Sequence, residues 1–209
     1  MTLFTGQTLL QALENIPWDI AVRTYGNCHA TYIGMAVQWW LRHDINQNSA
    51  LESGPTYAYH PRSEKGGGQC DAVFCTDRDA VGILEVEGTR VLYTIEKISK
   101  YFQSPVAYFK TLQFAILMVY SYQITGKGDD RTFIAINQPA IIQSLQDISV
   151  QHSDKSIIFI TIRKAFKRQK NNLRQQSEYY WGQTDEIKGS LFTNGAIITE
   201  KVYYTDTIR

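Results

Sequence analysis

The sequence is short of the features that mark a secreted, membrane-spanning or metal-stapled protein. Among 209 residues there are three cysteines, Cys28, Cys70 and Cys75. An odd, scattered set supplies no disulfide framework and is expected of a chain held in a reducing cytoplasm. Cys70 and Cys75 are five apart in an extended run, so they face opposite sides and are poorly placed to share one zinc ion. No apolar run approaches the ~18 residues of a membrane span, the best candidate being Phe114 to Val119. The N-terminal stretch MTLFTGQTLLQALENIPWD has no basic segment and soon turns acidic, so neither a signal peptide nor a membrane partner is expected. Internal repeats and low-complexity tracts are lacking. Gly66-Gly67-Gly68 is not followed by Gly-Lys-Ser/Thr, so it reads as a loop and not as a phosphate cradle.

What is present is a globular balance, with 44% hydrophobic and 20% charged residues. A chain of this length buries about 70% of its unfolded surface, enough for its own core, and one domain over 1–209 is expected. Apolar spacing predicts helices over 6–15 and 29–42, with a loop over 44–55 ending in Gly54-Pro55. Three strand-like runs follow at 56–60, 69–75 and 80–87, joined closely enough for antiparallel hairpins. A helix is predicted over 94–103, with Ile95, Ile98 and Phe102 on one face, then a doubly buried strand over 113–122. A short run at 133–136, a helix over 138–150 and strands over 156–162 and 196–204 complete the pattern. Hairpins feeding strand–helix–strand crossovers imply an α/β (α+β) fold, a mixed sheet with helices on both faces.

Net charge is +1, yet seven cations lie between Lys155 and Arg174 without a single Asp or Glu. Such a block is either a solvated face or a surface for phosphates. The acids are more telling. Glu85 and Glu87 alternate with Leu84, Val86 and Gly88, which puts both carboxylates on one face of their strand. Asp71 lies on the neighbouring run. If register brings it to the pair, three carboxylates converge, and they repel unless a cation neutralises them. Mg²⁺ prefers such hard oxygen ligands, and Mn²⁺ is its natural substitute. The bland alternative is the solvated side of an antiparallel sheet.

The order Asp71, hairpin, Glu85-Val86-Glu87, helix, buried strand resembles the PD-(D/E)XK nuclease superfamily over roughly residues 29–165. The resemblance implies a restriction-endonuclease-like α-β-β-β-α-β core and metal-dependent cleavage of nucleic acid. It makes Asp71 and Glu85 metal ligands, with the Val86 backbone carbonyl as a third. Glu87 occupies a position that is usually lysine, as in a branch of type II restriction enzymes. Its role there is a second metal or the attacking water. Lys97, on the next helix, reads either as a migrated catalytic lysine or as a solvated helix lysine. Arg163, Lys164, Lys167 and Arg168 are the implied phosphate contacts, and Tyr179-Tyr180-Trp181 either stacks on bases or packs internally. Residues 166–209 become an extension for DNA contact or dimerisation. The expectation is a cytoplasmic Mg²⁺-dependent DNA endonuclease, a homodimer if it is a restriction enzyme. A repair or junction nuclease is equally compatible. The alternative from another class is a non-catalytic nucleic-acid- or protein-binding module of the same fold.

Overall fold

The computed structural model describes residues 6–25, 51–60, 68–76, 78–88, 90–125, 139–170, 177–179 and 184–205. The expected helix over 29–42, the run 133–136 and the pair Tyr180-Trp181 lie outside these residues. So does the side chain of Tyr179.

The described elements are helices α1 (Gly6–Glu14), α2 (Trp18–Tyr25), α3 (Val91–Phe102) and α4 (Pro139–Gln151), and strands β1 (Leu51–Gly54), β2 (Ala72–Thr76), β3 (Asp79–Glu87), β4 (Phe114–Thr125), β5 (Ser156–Lys170), β6 (Ser177–Tyr179), β7 (Thr184–Thr193) and β8 (Ala196–Thr205). The sheet runs β1-β2-β3-β4-β5-β7-β8, and β6 pairs with the far end of β5. β1, β2 and β3 form an antiparallel meander. β3, β4 and β5 are parallel, because α3 and α4 carry the chain back across the sheet between them. β7 and β8 return antiparallel.

The parallel strands are apolar on both sides. β4 is buried without interruption from Phe114 to Val119. Alternation then divides the core into two layers. On one face Leu9, Leu10, Leu13, Trp18 and Val22 of α1 and α2 pack on Phe74, Ile116 and Ile158. On the other, Ile95, Ile98, Ile141 and Leu145 of α3 and α4 pack on Val73, Ile83, Leu117 and Phe159. Each such side chain stabilises the fold by ~1.5–3 kcal/mol when fully buried. The fold is therefore mixed α/β with helices on both faces of a mixed sheet, as the periodicities imply.

Two sequence expectations are corrected. The stretch 44–55 is not loop to its end, because Leu51–Gly54 pairs with β2 as an edge strand. Pro55, with no N–H, stops that ladder. Residues 56–60 are not a strand. They make only the isolated bridge Ala58–Gln69, because Tyr57 packs edge-on against Tyr108 and Tyr59 against Tyr101. The first strand of the meander is thus β1. The C-terminal stretch supplies β7 and β8 to the same sheet. Their two-residue turn, Asn194 (φ 46°) and Gly195 (φ 77°), lies in the left-handed region that suits an Asn-Gly hairpin.

Candidate active site

β2 and β3 carry the candidate carboxylates at the ends nearest α3. Asp71 immediately precedes β2. Its N–H donates to the Leu84 carbonyl at 3.0 Å, and its carboxylate accepts the Val86 N–H at 2.7 Å. The side chain thereby takes over where the backbone ladder stops, and it is exposed to solvent. Glu85 lies two residues beyond the core residue Ile83 and is only 4% exposed. It enters the α3-side layer because the strand period gives it no other side.

A buried carboxylate needs a partner. Lys97, in the second turn of α3, supplies it. Its Nζ lies 2.7 Å from Glu85 Oε1 and 2.9 Å from Oε2, and it donates to the Gln69 carbonyl at 2.5 Å. Burial still dominates the titration. It pushes the Glu85 carboxyl up to about 7 against the pull of Lys97, and Asp71 and Glu87 push the same way more weakly. Glu85 Oε1, although beside the ammonium, is a buried oxygen with no hydrogen-bond partner. The 2.7 Å contact is an ion pair and not a hydrogen bond, because that oxygen lacks a directional donor.

Glu87 behaves differently. Its Oε1 accepts the N–H groups of Gly88 at 2.7 Å and Arg90 at 3.1 Å, and its Oε2 accepts the Thr94 hydroxyl at 3.0 Å. These groups surround the first turn of α3, where backbone N–H groups lack helical partners and the dipole favours an anion. The expected convergence of three carboxylates is therefore not formed. Among the described residues no group of three or more His, Cys, Asp or Glu side chains is arranged to hold a metal. Asp71 and Glu85 remain neighbours, and Glu87 is committed to the helix.

Of the basic block, Arg163 is not brought to these carboxylates. Glu85 is level with Leu117, and Leu117 with Phe159. Arg163 thus lies two strands across and four residues further on, roughly 10 Å by 13 Å from Glu85 in the plane of the sheet. It is exposed and 3.9 Å from Glu186, which also contacts Lys188. Lys164, Lys167 and Arg168 follow on β5, and their side chains lie outside the described residues.

Three contacts were not legible in the sequence: the Gln69 carbonyl on Lys97, Thr94 on Glu87, and Tyr101. The Tyr101 hydroxyl donates to the carbonyls of Tyr57 and Gly68, so α3 holds the chain leading to Asp71. The signal available was spacing. Thr94 and Tyr101 stand at i−3 and i+4 from Lys97, and the buried residues of α3 include both. Cys70 is buried beside Glu85, and its thiol is pushed up to about 12, chiefly by burial. It is a packing residue that stays protonated. No family model matches this chain, and no curated protein and no solved structure matches it.

Proposed function

We propose that this chain is a divalent-metal-dependent endodeoxyribonuclease with Asp71, Glu85 and Lys97 as its reacting-centre residues. The observation that carries the reading is the buried Glu85 carboxylate, paired with Lys97 and adjacent to the solvent-facing Asp71. The donors suit Mg²⁺ or Mn²⁺. They are hard oxygens, and Glu85 Oε1 is buried without a hydrogen-bond donor. Asp71, Glu85 and the Val86 carbonyl would hold the ion, which would supply charge neutralisation and an acidified water. Asp71 faces solvent, where a phosphodiester has access. Lys97 favours the ionised form of Glu85 against the larger effect of burial, and it presents positive charge where a pentavalent phosphate gathers negative charge. Hydrolysis forms one P–O bond from water and breaks the opposite one in line. Glu87 in this reading positions α3, and with it Lys97. A palindrome-cutting restriction enzyme would be a homodimer, and a repair or junction nuclease uses the same residues without that requirement.

A rival reading rests on the same lysine. Lys97 directs its ammonium to Glu85 and to the Gln69 carbonyl, as a structural tether in a non-catalytic nucleic-acid- or protein-binding module does. Plasmid cleavage separates the two. Wild type should nick or cut supercoiled plasmid with Mg²⁺ or Mn²⁺ and stop in EDTA. Asp71→Asn should lose more than about a hundredfold in rate with an unchanged circular dichroism spectrum, because Asp71 is exposed. Cleavage that survives EDTA or Asp71→Asn removes the nuclease assignment. DNA retention that fades with salt, indifferent to metal and without cutting, favours the binding module.

A further inference from the structure

α3 carries a second pattern besides its buried face. Tyr93, Lys97 and Lys100 follow one another at i, i+4 and i+7, and Arg90 precedes Tyr93 by three. Such spacing puts them along one flank of the helix. Lys97 fixes which way that flank looks, because its ammonium is on Glu85. The flank therefore borders the Asp71–Glu85 pair. Tyr93 is 51% exposed, Arg90 and Lys100 are exposed, and the Arg90 guanidinium makes no ion pair among the described residues. The Lys100 ammonium stands over the Tyr59 ring, 6.0 Å from its centroid, extending the stripe with a second aromatic. The Tyr93 ring stands one helical turn from Lys97, between cations, and belongs to neither core cluster.

We infer that this stripe is a track for an unpaired DNA strand, with Tyr93 stacking on a base and Arg90 and Lys100 meeting the phosphates on either side. The inference rests on the nuclease reading for its location and adds a substrate class: DNA that is single-stranded at the cut. The physical argument is the ring. Bases of a duplex already have stacking partners on both faces, so an exposed tyrosine gains little from them. An unpaired base offers a free face. The neighbouring cations supply sequence-independent backbone attraction, and they counter part of the negative field of Asp71, Glu85, Glu87 and the exposed Glu96 of the same helix.

The test is binding measured apart from cleavage. Full-length protein in EDTA is titrated into a fluorescein-labelled oligodeoxynucleotide, single-stranded or annealed to its complement, and followed by anisotropy. The single strand should bind more tightly than the duplex. Tyr93→Ala should weaken single-strand binding by roughly tenfold and leave duplex binding where it was, while Tyr93→Phe keeps wild-type affinity. Arg90→Ala should lower the slope of log affinity against log salt by about 0.7. Equal affinity for the two forms, or a Tyr93→Ala variant that binds the single strand like wild type, overturns the track. Adding Mg²⁺ or Mn²⁺ to the same mixtures separates the two readings. Single-strand binding lost in Tyr93→Ala, without cleavage, keeps the track and removes the nuclease. Cleavage of duplex and single strand alike, unaffected by Tyr93→Ala, keeps the nuclease and removes the track.

Discussion

The Lys97 ammonium lies between the two oxygens of Glu85, 2.7 and 2.9 Å away, although the residues are twelve apart and belong to different elements. β3 ends at Glu87 and α3 begins at Val91. The helix then runs back over the strand it has just left, so its second turn passes above the strand's last buried position. A carboxylate that the strand period drives into the core meets the one cation that the helix period delivers there.

Removing the cation should expose how much the pair matters. Lys97→Met leaves a buried carboxylate without a partner, and breaking such a pair costs about 3 kcal/mol. Urea denaturation at pH 8 should show that loss. At pH 5 the loss should be much smaller, because there Glu85 is largely protonated in the folded state. A loss independent of pH would mean that Lys97 acts through packing and through Gln69 alone.

Glu85 also sets a pH dependence for the metal-free protein. Its folded carboxyl titrates at about 7, against 4.5 for an ordinary glutamate, burial being the main cause. Between these values the folded state binds more protons than the unfolded state. Stability therefore falls as pH rises from about 4.5 to about 7, and levels off above. The fall attributable to this group is up to about 3 kcal/mol. Thermal melts in EDTA across that range, compared with Glu85→Gln, check it. The variant should lack this component of the slope.

Glu87 should prove to be a helix cap. Its carboxylate holds the N–H groups of Gly88 and Arg90 and the hydroxyl of Thr94. Glu87→Ala should cost about 1 kcal/mol in urea denaturation, the worth of a lost cap. Plasmid cleavage should fall far less than in Glu85→Gln. A complete loss of cleavage with unchanged stability would instead put Glu87 among the reacting groups.

Much of this molecule is local information. The apolar runs of β4 and β5, the 3.6-residue stripes of α3 and α4, and the alternation that puts Glu85 and Glu87 on one strand face were all legible. Each depends on the chemistry of neighbours in sequence. β7 was not legible. TDEIKGSLFT is mostly polar, and only its pairing between β5 and β8 buries Ile187, Leu191 and Phe192. The Asn194-Gly195 turn that introduces β8 was the available signal. The tyrosines of 56–60 carry strand propensity, yet the rings of Tyr101 and Tyr108 draw two of them into aromatic contacts.

The same division runs through the site. Sequence alone determined which residues carry the charge, that Asp71 and Glu85 lie on adjacent runs, and that Lys97 follows on a helix. Only the tertiary structure decided their partners. Glu85 and Glu87 share a strand face by period, yet one ends in the core against Lys97 and the other on a helix terminus. Alternation specifies a side. What waits there is set by where the next element crosses, and that depends on packing across the whole sheet.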